Sequence, residues 1–155
     1  MWIPPEQKDP VLLHHPTRES VGYFGAVRLR DGAFVFQRED ASFNGETFFT
    51  FLKHVRKASG RSGRRVVLVL DNARYHHAKL HKEWRETQGP GFLIAYLPPY
   101  SPELNMIERV WKLTRRRCMH NQYFPSLDDV AFAVESVFDS WHSSSQTLKK
   151  LCAFS

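Results

Sequence analysis

The sequence predicts an α/β domain in which a sheet of short strands is covered by helices. Two apolar runs, at 66–70 and 92–96, have the length and the flanking polar or turn-forming residues of buried strands. An Asp-Gly pair at 31–32 between two further apolar runs is typical of a hairpin. Between 45 and 58 the apolar residues recur at helical spacing, which predicts a helix that covers the sheet.

The composition is that of a globular protein, with 42% hydrophobic and 25% charged residues. A length of 155 residues fits one domain, spanning 1–155, with enough chain for a core. The apolar runs are too short to cross a membrane, and no signal-peptide pattern opens the chain. Cys118 and Cys152 have neither zinc nor redox spacing, so we expect a reduced, cytoplasmic protein without a membrane partner.

The formal net charge of +6 favours an anionic partner, of which nucleic acid is the commonest. A basic surface without any such partner would have the same net charge. Charge alone therefore leaves both interpretations open, because it bears on association and not on fold.

The first third of the chain predicts an arm followed by a hairpin and a helix. Four prolines in the first 20 residues predict an irregular arm, within which 11–13 could form an edge strand. A strand is predicted over 21–29, a turn at Asp31, and a second strand over 33–36. Asn44 is the predicted N-cap of the helix that follows.

Three more helices are predicted in the remainder of the chain. A polar helix is expected over 77–88, and a longer one from Glu103 to about Met119, after the proline-rich stretch 98–102. A capping-box pattern at 126–129 predicts the start of the last helix. Its apolar residues are expected to face the core, and they include Val130, Phe132, Val134, Val137, Phe138 and Trp141.

Two acids are predicted to meet at one edge of the sheet. Asp71 directly follows the 66–70 strand, and catalytic groups of open α/β sheets gather at the carboxyl ends of strands. Asn105 and Glu108 are three residues apart, so a helix would place them on one face. Two such carboxylates suit divalent metal ions that assist phosphoryl transfer. A general acid/base pair for hydrolysis has the same pattern, so both remain open.

Basic residues accompany these acids in the sequence. Arg64 and Arg65 end a loop before the 66–70 strand, where a phosphate contact and a solvated connection are equally consistent with the pattern. The helix that carries Glu108 has a basic face that suits a polyanionic substrate, and a solvated flank is the alternative. This face comprises Arg109, Lys112, Arg115, Arg116 and Arg117.

Two stretches resemble the catalytic domain of mariner-like DDE transposases, in the branch found in bacterial insertion sequences. The first, at 71–77, reads Asp-Asn-Ala-Arg-Tyr-His-His. The second, at 97–108, reads Leu-Pro-Pro-Tyr-Ser-Pro-Glu-Leu-Asn-Met-Ile-Glu and is highly specific. Met106 stands where the family usually has proline. The resemblance extends from about Trp2 to the last helix.

The resemblance implies a ribonuclease H-like fold, a mixed sheet flanked by helices, that cleaves DNA and transfers strands by metal-dependent polynucleotidyl transfer. It implies that Asp71 and Glu108, with 36 residues between them, are the second and third acids of a triad and ligands of Mg²⁺ or Mn²⁺. Asn72, His76 and Asn105 belong to the same motifs and are expected to support the acids. The implied partners are DNA (transposon ends and target) and a second copy of the protein, in the bacterial cytoplasm and on nucleoid DNA when bound.

One departure from the family pattern concerns the first acid. In the family it lies on the first, central strand, upstream of a stretch similar to Trp2-Ile3-Pro4. We therefore expect this chain to lack that acid, its strand and the helix-turn-helix region, because Asp9 and Asp31 are in the wrong context to replace the acid. Two main interpretations remain: one part of an active transposase that needs an upstream fragment, or an inactive remnant that at most binds DNA. A self-contained nuclease with two acids is a third.

Overall fold

The computed structural model describes residues 11–13, 20–60, 64–73, 76, 79–120 and 122–153. The rest of the predicted arm, the Trp2-Ile3-Pro4 stretch, Asp9 and position 77 lie outside the described residues. The elements in chain order are β1 (Val11–Leu13), β2 (Ser20–Val27), β3 (Phe34–Glu39), α1 (Gly45–Ser59), β4 (Val66–Leu70), α2 (Lys82–Thr87), β5 (Phe92–Tyr96), α3 (Ile107–Cys118), α4 (Leu127–Ser140) and α5 (Gln146–Leu151).

The strands form two separate sheets. One is antiparallel in the order β1-β2-β3, with Leu12 opposite Val21 and Gly25 opposite Phe36. The other is the parallel pair β4-β5. Among the described residues no strand joins β2 to β4, so the mixed sheet that the sequence predicts is divided at the place expected for its central strand.

The hairpin predicted around Asp31 is confirmed. Its turn is fixed by Arg28, whose guanidinium donates two hydrogen bonds of 2.8 and 2.7 Å to the Asp31 carboxylate. These hydrogen bonds hold the pKa of Asp31 at about 2, below its ordinary value. Gly32 adopts a φ of +75° and lies directly against α5, so that a Cβ there would be 2.6 Å from the Lys149 amide nitrogen. Helix α5 was not predicted from the sequence.

An aromatic core fixes the helices on both faces of the antiparallel sheet. On one face, Phe24 of β2 packs against Phe48 and Phe51 of α1, as predicted for this helix. Asn44 caps α1 by accepting from two backbone N–H groups at 3.0 Å each. The opposite face packs against α3 and α4 through the aromatic residues Tyr23, Phe34, Phe36, Trp111, Phe138 and Trp141.

Three sequence expectations need correction. The helix expected from Glu103 begins at Ile107, after a 3₁₀ turn at Pro102–Leu104 that follows the prolines. The polar helix expected over 77–88 is a 3₁₀ turn at Lys79–His81 followed by the short α2. Phe132 is 77% exposed and not in the core, because it lies about 200° around α4 from buried Val130 and Val134. No helix of the described part is long and apolar enough to cross a membrane.

We predict that Gly32→Ala destabilises the chain by at least about 2 kcal/mol, because a positive φ and overlap with α5 are both penalised. Gly89→Ala is the matched control: its φ is +72° but its Cβ would meet no atom within 4 Å. It should cost only about 1 kcal/mol. Urea unfolding of both variants measures the difference, and equal losses would show that the close approach to α5 is unimportant.

Candidate active site

Asp71 lies at the carboxyl end of β4, where the sequence places it, and its carboxylate is fixed on one side only. Its Oδ1 accepts a 3.0 Å hydrogen bond from the Ala73 backbone N–H. Because β4 and β5 are parallel, their carboxyl ends lie at the same edge of the pair. The Asn72 side chain donates to the Leu97 carbonyl at 2.8 Å and so ties the two strand ends together.

His76 orients the Asp71 carboxylate. Its Nδ1 lies 3.0 Å from Asp71 Oδ1 and 3.0 Å from the Asp71 carbonyl oxygen. Both of these atoms are acceptors, so Nδ1 carries the ring proton. The imidazole is fully buried and packs against Phe48 with ring centroids 4.7 Å apart, while the Tyr96 hydroxyl donates to the His76 carbonyl at 2.9 Å. Phe48 of α1 and Tyr96 of β5 thus hold His76, which contacts the carboxylate that follows β4.

Two buried side-chain oxygen atoms of the predicted site residues have no hydrogen-bond partner within the described part of the chain. They are Asp71 Oδ2 and Asn105 Oδ1, and Asn105 is only 3% exposed. Burying such atoms without a partner is costly, so native proteins usually satisfy them with water, an ion or a ligand. Carboxylate and amide oxygens are hard ligands of the kind that Mg²⁺ binds. The donor chemistry therefore fits the implied metal.

Because α3 begins at Ile107 and not at the predicted Glu103, Glu108 lies in the first turn of the helix. Its backbone N–H donates to the Asn105 carbonyl at 3.1 Å, so a tight turn precedes the helix. Burial raises the pKa of the half-buried Glu108 carboxyl above its ordinary value, and the nearby negative charge of Asp71 raises it further. The structure therefore places the two predicted acids within electrostatic reach of each other.

The loop between β5 and α3 contains a residue that sequence reasoning did not single out. Tyr100 has a φ of 58° and a fully exposed side chain. A left-handed backbone is rare for a large aromatic residue, and such conformations cluster at functional sites. The sequence signal was only that three prolines surround it, which predicts irregular backbone but no particular φ.

Apart from Arg109, the predicted basic residues divide into three groups. Lys112, Arg115 and Arg116 lie within about 80° of Glu108 around the axis of α3. Arg117 lies on the opposite side, where its guanidinium is 5.8 Å from the centre of the Trp141 ring. Arg64 and Arg65 are exposed before the start of β4, roughly 20 Å along the strand from Asp71. Only the first group shares the side of the helix that carries the acid.

Among the described residues, no group of three or more His, Cys, Asp or Glu side chains is arranged to hold a metal ion. The acids that the structure brings together at the end of β4 are therefore two, Asp71 and Glu108. No third acidic side chain joins them in the part of the chain that the structure describes.

The match to a family model decides the classification. The model described as DDE superfamily endonuclease matches residues 1–131, which is most of the chain. The chain belongs to the DDE superfamily endonucleases. Within the family match lie both candidate acids and the loop between β5 and α3, whereas α5 lies beyond it.

Relatives of this DDE endonuclease chain are insertion-element and uncharacterised proteins. It is 30% identical over 80 residues to the "Insertion element IS630 uncharacterized 39 kDa protein" of Shigella sonnei, a match covering 52% of this chain and 23% of that protein. It is 36% identical over 74 residues to the "Uncharacterized protein y4pE/y4sA" of Sinorhizobium fredii, covering 46% of this chain and 51% of that protein. The chain thus matches about half the length of the Sinorhizobium relative and less than a quarter of the Shigella relative.

Solved structures share the fold, which is ribonuclease H-like. A chain of the "Mos1 Strand Transfer Complex" superposes with a TM-score of 0.64 at 16% identity, covering 98% of this chain and 48% of that one. A chain of a simian T-cell lymphotropic virus intasome, in complex with PP2A regulatory subunit B56 gamma, gives a TM-score of 0.55 at 11% identity, covering 88% and 53%. The predicted fold class and the predicted family are confirmed.

We predict that Glu108→Gln removes a pH-dependent loss of stability. The pKa of Glu108 is raised above 4.5 in the folded chain, so the folded state keeps this proton where the unfolded chain has lost it. Stability is therefore lost as pH rises from 4.5 through the raised pKa. Without metal, the melting temperature of the variant should increasingly exceed that of the wild type across this window. The control is Glu103→Gln, which replaces an exposed acid. If the melting temperatures of Glu108→Gln and the wild type change with pH in parallel, the prediction is contradicted.

Proposed function

We propose that this chain forms the C-terminal part of the catalytic domain of an insertion-sequence transposase that cleaves DNA and transfers its strands. The observation that carries this proposal is the pair of carboxylates of Asp71 and Glu108. The charge of Asp71 raises the pKa of Glu108, and Asp71 Oδ2 is buried without a described partner. Structural carboxylates of a folded core are normally paired, so this arrangement favours a ligand site.

Asp71 and Glu108 would hold the metal, with Asn105 Oδ1 as a third oxygen close in sequence to Glu108. When bound, Mg²⁺ or Mn²⁺ supplies Lewis-acid stabilisation to the attacking and leaving oxygens of a phosphodiester. His76 keeps Asp71 Oδ1 directed toward its own Nδ1, which leaves Oδ2 available for the ion. Burial and the charge of Asp71 both raise the pKa of Glu108, and a bound cation would offset that charge.

We further propose that the third acid comes with a strand that fills the gap between β2 and β4. The hairpin and the parallel pair are separate among the described residues, and a strand there would join them into one mixed sheet. It would also bring its own side chains to the edge where Asp71 lies, because β4 would be its neighbour. The source would be an upstream fragment of the transposase. The active form would be a dimer on paired transposon ends and target DNA, in the bacterial cytoplasm.

The second candidate function is that of a catalytically inactive protein that at most binds DNA. It is favoured by the number of acids at the candidate site. Among the described residues the site has two, whereas the family resemblance implies three. The two proposals differ in one result, which is cleavage when an upstream strand is supplied.

We predict that Mn²⁺ raises the melting temperature of the chain, because an ion that binds only the folded state stabilises it. At an ion concentration of one hundred times the Kd, the gain in unfolding free energy is about 2.7 kcal/mol. Each kcal/mol raises the melting temperature of a chain of this size by roughly 2–4 °C. Asp71→Asn and Glu108→Gln should each abolish the rise, whereas exposed Glu103→Gln should keep it. Equal Mn²⁺ responses in all four proteins would place the ion elsewhere.

Cleavage separates the two candidate functions. The chain co-expressed with its upstream segment should nick transposon-end DNA in Mg²⁺, and Asp71→Asn should abolish nicking without preventing association of the two pieces. If the complex forms and binds Mn²⁺ but never cuts, the inactive protein is the correct interpretation.

We predict that DNA binding depends on Lys112 and Arg116 more than on Arg64 and Arg65. The first pair is exposed on the side of α3 that carries Glu108, whereas the second lies at the far end of β4. The double alanine variant of the first pair should reduce the slope of log K against log salt by about 2. The variant Arg64→Ala/Arg65→Ala loses the same charge and is the matched control. Equal slopes would mean that the whole basic surface binds DNA diffusely.

A further inference from the structure

The C-terminal helix α5 contacts the turn that carries Glu108, although it lies outside residues 1–131, which the family model matches. This helix has only six residues, Gln146–Leu151, and an isolated helix of that length is not stable in water. Its stability must therefore come from the contacts that it makes with the rest of the chain. Two contacts made by the end of α5 and by the residue after it reach Arg109 and Met106, which lie one residue after and two residues before Glu108.

The first contact is made by Arg109, which directly follows Glu108. Its guanidinium Nη1 donates to the Leu151 carbonyl at 2.9 Å and lies 3.5 Å from the Ala153 carbonyl. These carbonyls belong to the last turn of α5 and to the residues after it, where the helix itself provides no donor. A cation at a helix C-terminus also interacts favourably with the helix dipole. Arg109 thereby links the first turn of α3 to the end of α5.

The second contact involves Cys152 and Met106, both almost fully buried. The Cys152 thiol lies 3.8 Å from the Met106 carbonyl, which also accepts the Arg109 backbone N–H at 3.1 Å. Met106 is the N-cap residue of α3 and makes no side-chain capping hydrogen bond. The start of α3 therefore lacks the usual side-chain cap and is held instead by packing and by these contacts with the C-terminal segment.

The other end of α5 is held against the hairpin turn. The Ser145 backbone N–H donates to the Asp31 carbonyl at 2.9 Å, and Gly32 lies in direct contact with Ser145 and Lys149. The turn itself is fixed by the Arg28–Asp31 ion pair. One short helix therefore connects a rigid turn of the sheet to the turn in which Glu108 lies.

We infer that α5 is a latch that positions Glu108, with Arg109 and Cys152 as positioning residues that act through the first turn of α3. The role of Glu108 in this inference rests on the proposed function. The effect of α5 on the first turn of α3 does not depend on that function. Undocking α5 should loosen the turn and so weaken metal binding. By linkage, if docking of α5 raises the metal affinity by some factor, a metal ion at Asp71 and Glu108 should raise the docking equilibrium constant of α5 by the same factor.

The test measures the turn and the metal separately in the full chain. Hydrogen exchange followed by NMR reports the Glu108 amide, whose N–H donates to the Asn105 carbonyl. In Arg109→Ala this amide should exchange about tenfold faster, the size expected for losing one charged hydrogen bond. Cys152→Ala should act in the same direction, and Arg109→Lys should restore part of the protection. The Mn²⁺ concentration that gives half of the maximal thermal shift should rise about tenfold in Arg109→Ala.

The control is Asn44→Ala, which removes the cap of α1 and lowers global stability without touching α3 or α5. Comparable exchange rates of the Glu108 amide in Arg109→Ala and Asn44→Ala would overturn the latch. Faster exchange with unchanged Mn²⁺ affinity would reduce α5 to a purely structural element. If the wild type itself does not respond to Mn²⁺, the proposed metal site fails, and the exchange rates alone still decide whether α5 fixes the turn.

Discussion

The carboxylate of Asp71 is held by the protein at one oxygen and left without a described partner at the other, and the candidate site depends on this asymmetry. His76 and the Ala73 amide both contact Oδ1, so the side chain cannot rotate without losing two hydrogen bonds. Oδ2 is buried. Burial raises the pKa of the half-buried Glu108, and the negative charge of Asp71 raises it further. Two partly desolvated carboxylates repel each other, and a divalent cation is the simplest group that removes both penalties.

The aromatic core determines where Glu108 can lie. Trp111 of α3 packs edge-on against Phe34 and occupies the space above Gly25, where a Cβ would be 2.7 Å from the indole ring. This contact fixes the rotation of α3 about its axis. Because Trp111 is three residues after Glu108, it also fixes the direction in which Glu108 points. Helical spacing places Lys112 and Arg116 on the side of α3 that carries Glu108, and the fixed rotation brings Arg117 to the Trp141 ring. Packing in the sheet therefore sets the distribution of charge around the site.

The division of the sheet connects fold and function. An antiparallel hairpin and a parallel pair, each with its own helices, are held together by side-chain packing, and no backbone hydrogen bonds join β2 to β4 among the described residues. A strand added between them would gain a ladder on each side, which is the usual way that open sheet edges recruit another segment. Completion of the sheet and completion of the acid set would then be one event, so association of an upstream fragment would control catalysis.

Most of the elements and both candidate acids could be predicted from local patterns. The strands at 66–70 and 92–96, the Asp31–Gly32 turn and the cap at Asn44 each follow from short-range sequence rules. Family membership followed from the two motifs that contain Asp71 and Glu108, and the roles of these residues stay predictions. The start of α3 at Ile107, the exposure of Phe132 and the existence of α5 were not predicted.

What the sequence by itself determined is what depends on neighbours in the chain: strand propensity, turn chemistry, capping and the identity of a motif. Only the tertiary structure decided how His76 meets Asp71, which side of α3 faces the acid, and that a six-residue helix closes on the turn of Glu108. These features depend on contacts between residues that are far apart in sequence. A short helix such as α5 has too little propensity of its own to be recognised, because its stability comes from the surfaces it packs against.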